Sequence, residues 1–422
     1  MTRLYHGPPE SKLTTHLMET TGPALAGVTA SGTNEVKPIY LGGGLSIADS
    51  ILNVVGAGSA GGLEWRNKIT NGNFEIDQWL NGASGSLASA TSGYAPDRWF
   101  ISNNTDGTVS RQQLGTTPPP GLNTYIRIAC TVADTTIAAG QYCYFSHIME
   151  GLRVMDLDFG LATASYVTLT FQIKSNLTGN FSGAIINSAQ NRAYSFNVTV
   201  NVASTWETKT IVIPGDTSGT WLRFSTGIGI RLWFGLALGT TFQTAPGVWT
   251  AGNYIGSTGQ TLNLMSSTSN FVEFSDFRFE AGTIQTASRL PYDFQFYMCR
   301  RFATRINDVP GAAGVYPMGV RTQSILDCHY PLRSPMRIGP ALANNNLTSW
   351  VATSPGAGQM GFFGHAPAAW TTIVGTPTLS LAQSGPEGVL VRISPSTSFS
   401  GTNGDTGYFT LGSATTMLSA EH

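Results

Sequence analysis

The segment Tyr166-Val-Thr-Leu-Thr-Phe-Gln-Ile-Lys174 decides the fold class, because apolar and polar residues alternate along it without a break. In an extended chain the apolar residues from Val167 to Ile173 point to one side and the residues between them to the other. This period of two is typical of an antiparallel strand with one buried face and one wet face. Residues 227–238 repeat it, with Trp233 among the glycines opposite the aliphatic side. We therefore expect a mainly β protein.

The composition of the 422-residue chain supports this interpretation. Only 11% of the residues are charged, 10% are aromatic and 49 are glycine. Thr, Val, Phe and Gly are frequent, whereas helical enzymes need Ala, Leu, Glu and Lys. The net charge of -1 and the scattered arginines provide no basic surface for phosphates, so we do not expect nucleic acid as a partner. No apolar stretch has the length of a membrane span, so we expect no membrane insertion.

The pattern divides the chain into four parts. Residues 1–65 are rich in Gly and Thr and contain too little apolar side chain for a core, which predicts an extended segment held by another chain. Residues 66–292 contain short strands between Gly, Asn, Ser and Pro turns, which predicts a jelly-roll-like β-sandwich. Residues 293–303 have helical spacing with Asp293 as the N-cap, which predicts a helical linker. Residues 304–422 return to short strands and predict a smaller C-terminal β domain.

Two patterns that could indicate an enzyme do not fit their structural requirements. Residues 56–61 match GxGxxG, but no helix-forming stretch follows them, so we interpret them as a linker. Glu273, Asp276 and Glu280 could include a glycosidase carboxylate, but strict alternation would place them on both faces of one strand. The four cysteines are too widely spaced for a disulfide framework. We therefore expect no catalytic residues.

Three segments combine large rings with charged residues at the two ends of the large β domain. They are Asn71-Gly-Asn-Phe-Glu75, Tyr94-Ala-Pro-Asp-Arg-Trp-Phe100 and Phe277-Arg-Phe-Glu-Ala-Gly282. Their rings could anchor a core, and Asp97 and Arg98 could form an ion pair beside them.

Together with Cys299-Arg-Arg-Phe302 and Pro335-Met-Arg-Ile-Gly-Pro340, these segments resemble the β-sandwich virion proteins of tailed bacteriophages, which are tail fibres, head fibres and minor structural proteins. The resemblance implies a virion fibre or spike, assembled in the host cytoplasm as a homotrimer. Residues 1–65 would attach it to other virion proteins, and the β domains would bind a host cell-surface glycan. Two alternatives remain open: a capsid decoration or head fibre without a receptor role, and a polysaccharide depolymerase.

The opening segment and the late aspartate are also similar to jelly-roll carbohydrate-binding modules. This similarity implies a structural calcium ion bound by Glu75 and Asp276. If these two carboxylates meet, they repel each other unless a cation or an arginine such as Arg98 neutralises them.

Four tryptophans are the candidate sugar contacts, because alternation does not assign them to the core and a flat ring can stack on a pyranose. The alternative is that the same rings are buried between subunits, since interfaces favour Trp. The four candidates are Trp233, Trp249, Trp350 and Trp370.

Overall fold

The computed structural model describes residues 66–94, 96–282, 290–305, 327–332, 334–342, 378–394 and 418–421 in full, and elsewhere only the bounds and pairing of strands. The chain separates into two units, Met1–Trp65 and Arg66–His422. The fold is mainly β, as the alternation predicts.

The first unit contains two antiparallel strand pairs. The glycine motif at residues 56–61 lies outside the described residues. The pairs are β1 (Ala24–Val28) with β2 (Val36–Tyr40), and β3 (Leu45–Ala48) with β4 (Ile51–Val54).

The second unit begins with a β-sandwich of two antiparallel sheets. One sheet has seven strands in the order β17-β13-β12-β15-β10-β7-β6, and the other has six in the order β14-β11-β19-β9-β8-β5. Helix α1 (Gly151–Val154) follows β10, and three 3-10 turns occur at Met155–Leu157, Thr240–Phe242 and Leu264–Ser266. The strands are β5 (Gly85–Leu87), β6 (Thr91–Tyr94), β7 (Trp99–Asn103), β8 (Thr108–Leu114), β9 (Tyr125–Val132), β10 (Tyr142–Glu150), β11 (Val167–Ser175), β12 (Gly179–Asn187), β13 (Arg192–Val200), β14 (Glu207–Ile213), β15 (Ile228–Leu238), β16 (Gln243–Thr244), β17 (Trp249–Ala251), β18 (Gly256–Ser257) and β19 (Phe271–Ala281).

Aromatic rings fill the space between the two sheets. Phe171 of β11 packs against Phe234 of β15 with ring centroids 5.1 Å apart, and so joins one sheet to the other. Trp99 and Phe277, which the sequence suggests as anchors, are both fully enclosed in this core. The apolar residues Val167, Leu169, Phe171 and Ile173 of β11 are also fully buried, which confirms the face predicted for Val167–Ile173.

A β-bulge in β19 changes the side to which its residues point. Gln172 of β11 pairs with Ser275, but Thr170 pairs with Arg278, so β19 contains one extra residue between these pairs. Asp276 occupies this position with a left-handed φ of 54°. The bulge places Arg278 and Glu280 on the same outer side of the six-stranded sheet as Glu273, whereas Phe277 and Phe279 point into the core. The prediction that the acidic residues of this strand fall on both faces is therefore wrong.

Helix α2 (Tyr292–Arg300) connects the sandwich to the C-terminal strands. Pro291 is its N-cap and Asp293 lies in the first turn, so the assignment of Asp293 as N-cap is wrong. Among the described residues, neither helix has the length and apolar character of a membrane span. All four cysteines are buried and free.

The C-terminal strands form two sheets. A three-stranded sheet has the order β20-β30-β23, and a larger one has the path β24-β25-β29-β21-β22-β28-β27, with β26 paired to β25. The strands are β20 (Ala303–Arg305), β21 (Gly314–Thr322), β22 (Ile325–Pro331), β23 (Ala341–Asn345), β24 (Ser349–Trp350), β25 (Gln359–Gly364), β26 (Ala369–Thr371), β27 (Thr378–Ser384), β28 (Gly388–Ser394), β29 (Thr406–Leu411) and β30 (Thr416–Ser419).

Buried charges join helix α2 and strand β30 to one end of the sandwich. Arg98 forms an ion pair with Glu421 and lies 3.4 Å from the ring centroid of Phe302. Arg301 donates to both carboxylate oxygens of Glu150, at 3.1 and 3.2 Å. These pairs tie residues that are distant in sequence into one structural unit.

Asp97 does not pair with Arg98, contrary to the interpretation of the sequence. The backbone N–H and the side-chain amide of Gln78 both donate to the Asp97 carboxylate. Arg98 has a left-handed φ of 71°, as residues in tight turns do. At this turn the Asp97 and Arg98 side chains point apart. Asp97 and Arg98 therefore have separate partners.

Candidate functional site

The outer side of the seven-stranded sheet carries aromatic side chains with one arginine among them. Trp99, Cys143 and Leu232 point into the core, so the residues next to them along each strand point outward. The outward side chains next to these residues are partly exposed, with the exception of Trp233, which is buried. We call the following seven side chains the aromatic face: Trp79, Tyr94, Phe100, Tyr142, Tyr144, Arg231 and Trp233.

The register of the sheet aligns part of this face in a row. Tyr94 of β6 lies opposite Phe100 of β7, which lies opposite Ser146 of β10. Ser146 in turn lies opposite Trp233 of β15. The row crosses four neighbouring strands. The small Ser146 side chain lies between the pair Tyr94 and Phe100 on one side and Trp233 on the other.

The rings of the aromatic face support one another. The ring centroids of Tyr94 and Phe100 are 4.9 Å apart, and Trp79, from the loop before β5, stacks on Tyr94 at 5.3 Å. Tyr144 lies 5.2 Å from Trp233. These separations are typical of favourable aromatic pairs. Because all of these rings except Trp79 stand on hydrogen-bonded strands, the surface exists before any ligand arrives.

Trp233 forms the base of the aromatic face. It is 4% exposed, so the prediction that its glycine neighbours leave it uncovered is wrong. It packs with the buried Leu238 and with the partly buried Tyr144 and Tyr254. The cover comes from residues 239–262, which fold back over this part of the sheet. Trp233 therefore positions Tyr144 and is not itself an open stacking surface.

Arg231 is the one charged side chain of the aromatic face. Burial lowers the pKa of its guanidinium, and the nearby Tyr144 and Tyr94 hydroxyls act in the opposite direction. Its Nε is buried and has no hydrogen-bond acceptor among the described residues. Strand register places Arg231 opposite Ile148, in the row next to Ser146 and Trp233. The aromatic face thus contains a half-buried cation without an ion-pair partner in the part of the chain that is described.

Trp249 is not part of this surface. It lies on β17, which is the edge of the seven-stranded sheet opposite to β6. Its Nε1 donates to the Pro214 carbonyl at 2.9 Å, and its ring meets Trp221 edge-on at 5.6 Å. These contacts, all within one chain, indicate a packing role for Trp249 at the edge of the sheet.

The other two predicted tryptophans belong to the C-terminal strands. Trp350 of β24 pairs with Met360, and Trp370 of β26 pairs with Phe363, so the backbone places both next to β25. Their side chains lie outside the described residues.

Of the two residues predicted to bind calcium, Asp276 has an arginine partner in the structure. Asp276 accepts a hydrogen bond from Arg278 at 3.0 Å, so an arginine neutralises it, although Arg98 is not the one. Within residues 66–282 and the other described ranges, no three side chains of His, Cys, Asp or Glu come together. A calcium ion takes six to eight oxygens, so a site at Glu75 and Asp276 would need further ligands, and it stays a prediction.

The outer side of the six-stranded sheet contains a second cluster of charges and rings. Glu273, which is fully buried, pairs with Lys174 at 2.6 Å and with Arg127 at 2.9 Å. Trp206 covers Lys174 with its ring centroid 5.0 Å from Nζ, and Tyr125 meets Trp206 edge-on. The three charged side chains therefore pair with one another within the cluster. The outer side of this sheet carries this cluster in place of the wet face that the alternation predicts.

The sequence alone does not identify most of the aromatic face. Tyr142 and Tyr144 alternate with core residues, which is a signal that marks them as outward-facing. Arg231 also stands out in the sequence, because it interrupts an otherwise apolar run. Bringing them together with Tyr94 and Phe100 requires the strand order, which the sequence pattern does not contain.

Comparisons with known proteins find similarity only at the level of solved structures. No protein-family model matches the sequence, and no curated protein matches it either. A solved structure of the enzymatically active domain of bacteriophage CBA120 tailspike protein 4 is 13% identical, with a TM-score of 0.27, and the match covers 51% of this chain and 22% of that one.

Two carbohydrate-binding modules match over a similar share of the chain. TmCBM61, solved with β-1,4-galactotriose, is 12% identical with a TM-score of 0.26, over 51% of this chain and 99% of that one. The family 11 module of a Clostridium thermocellum cellulosomal cellulase is 14% identical with a TM-score of 0.24, over 49% and 99%. At these TM-scores the matches carry no argument about the fold or the function of this chain.

Proposed function

We propose that this chain is a structural protein of a bacteriophage virion, a fibre or spike, and that its aromatic face binds a cell-surface glycan. The observation that carries the proposal is the set of partly exposed rings held on the outer side of the seven-stranded sheet. A flat ring stacks on the apolar face of a pyranose, and the sugar C–H groups gain from the negative face of the ring. Because the rings are preformed, little conformational entropy is lost on binding.

Polar groups beside the rings give the surface a means of orienting a sugar. Strand register places Ser102 opposite Tyr144 on the neighbouring strand. Phenol and serine hydroxyls can both donate and accept, as sugar hydroxyls do. The aromatic face therefore offers stacking and hydrogen bonding together, which is the combination that carbohydrate recognition needs.

The virion assignment rests on the motifs between residues 66 and 340 that resemble phage structural proteins. In this proposal residues 1–65 attach the protein to other virion proteins and three copies assemble. The ion pairs of Glu273 favour binding over hydrolysis, because a carboxylate held by two cations is a poor general acid or base.

An array of bacterial surface polysaccharides probed with the full-length protein tests this proposal. We expect binding to a subset of glycans, and we expect Tyr144→Ala to weaken it about tenfold because a stacking ring is lost. Trp206→Ala is the matched control, since it removes a partly exposed ring from the opposite sheet. Thermal melts of both variants verify folding. Equal loss in the two variants, or full binding by Tyr144→Ala, would contradict the proposal.

A further inference from the structure

Arg231 differs from two other arginines of the sandwich, Arg192 and Arg278, which both pair with a carboxylate. Arg192 donates to both oxygens of Asp216, and Arg278 pairs with Asp276. Arg231 has no such carboxylate among the described residues, and its Nε is buried without an acceptor. A guanidinium that is partly removed from water and left unpaired carries a desolvation cost that an anion would offset.

The surroundings of Arg231 limit the kind of anion that fits. The nearby titratable groups that act on it are the hydroxyls of Tyr144 and Tyr94, which belong to the aromatic face. The aromatic face therefore carries both rings that can stack on a sugar and a cation, Arg231, that lacks an anion. A planar guanidinium binds a planar carboxylate through two parallel hydrogen bonds.

We infer that the aromatic face selects acidic glycans and that Arg231 binds the carboxylate of a uronic or similar sugar acid. This inference rests on the proposed function and specifies its ligand class. Phe100 belongs to the row next to that of Arg231, and Tyr144 belongs to the row beyond it, so a sugar stacked on these two rings can direct a carboxylate along the sheet toward Arg231. Stacking then supplies the general affinity for sugars, and Arg231 supplies the preference for acids.

Calorimetric titration of the full-length protein with paired probes tests this inference. The probes are oligouronates of galacturonic, glucuronic and mannuronic acid, and the same oligosaccharides after reduction of their carboxyl groups. We expect at least one oligouronate to bind about tenfold more tightly than its reduced form, since one charge-assisted pair contributes roughly 1.5–3 kcal/mol.

Substitutions of Arg231 test whether this residue causes the preference for acidic sugars. Arg231→Gln should bind the acid and its reduced form equally, at the affinity of the reduced form, whereas Arg231→Lys should lose part of the preference because it lacks the planar fork. Arg223→Gln is the matched control, because Arg223 is a partly exposed arginine that is already paired with Asp158. It should bind like the wild type.

The outcomes separate the inference from the proposed function. Equal binding of acidic and reduced probes by the wild type overturns the role of Arg231 and leaves glycan binding in place. Tighter binding of sulfated than of carboxylated oligosaccharides, lost in Arg231→Gln, overturns the carboxylate assignment. Failure to bind any probe, together with a blank polysaccharide array, overturns both.

Discussion

Asp97 shows how burial alters the chemistry of a single residue. The side chain is fully enclosed, and burial raises its pKa from the ordinary 3.8 to about 8, although the hydrogen bonds from Gln78 act the other way. The unfolded chain therefore ionises Asp97 near pH 4, whereas the folded protein keeps the proton up to about pH 8. In this window the folded state binds more protons, so the free energy of unfolding falls as the pH rises.

This linkage gives a prediction for pH dependence. Burial also lowers the pKa of His147 well below 6.5, so His147 opposes Asp97 only below about that pH. Between pH 6.5 and 8 we expect the free energy of unfolding to fall by about 2 kcal/mol because of Asp97. Asp97→Asn cannot ionise and should show less than half of this fall. Urea unfolding followed by tryptophan fluorescence at both pH values measures the difference, and equal falls in both proteins would contradict the assignment.

The bulge in β19 decides which side chains face outward, and it depends on one backbone conformation. Asp276 has a φ of 54°, a region that Asn, Asp and Gly tolerate and β-branched residues do not. Beyond this residue Phe277 and Phe279 return to the core. The bulge therefore keeps the aromatic core intact while Glu273 stays on the outer side.

A pair of substitutions at this position isolates the backbone effect. Asp276→Val and Asp276→Asn both remove the carboxylate that pairs with Arg278, but only Val is strained in the left-handed region. We expect Asp276→Val to be about 1–3 kcal/mol less stable than Asp276→Asn. Equal unfolding midpoints for the two variants in urea would show that the bulge carries no such constraint.

The sequence predicts individual elements better than it predicts surfaces. Alternation finds the buried side of β11 because the period of two is a local property of Val167–Ile173. It fails at Trp233, because a loop from residues 239–262 supplies the cover. It also fails after Asp276, because one inserted residue reverses the phase of the strand. The aromatic face escapes detection for the same reason, since strand order brings its residues together.

Buried charged side chains attach the C-terminal strands to the sandwich. The side chains of Arg98 and Glu421 are only 2% and 4% exposed. Arg337, from the Pro335–Pro340 segment that resembles phage proteins, donates to the carbonyls of Ala420 and Thr226 at 2.8 and 3.1 Å. The motifs that suggest a phage protein thus include the residues of this junction, and their role there is structural.

The buried ion pair of Arg98 and Glu421 predicts that an uncharged side chain at position 421 destabilises the protein. Glu421→Gln keeps the shape of the side chain but leaves the buried Arg98 guanidinium without a counter-charge. We expect a loss of about 3 kcal/mol in the free energy of unfolding. Arg392→Gln, which breaks the more exposed pair with Asp327, is the control and should cause a much smaller loss. Comparable losses in the two variants, measured by urea unfolding, would contradict a structural role for the Arg98 pair.

The most direct test of the central claim is a crystal structure of the full chain with a bound oligouronate that the calorimetric titration has identified. We expect a sugar ring stacked on the aromatic face beside Tyr144 and Phe100, with its carboxylate about 3 Å from the guanidinium of Arg231. An oligouronate bound instead at the Trp206 side of the sandwich, or on the C-terminal strands, would contradict it.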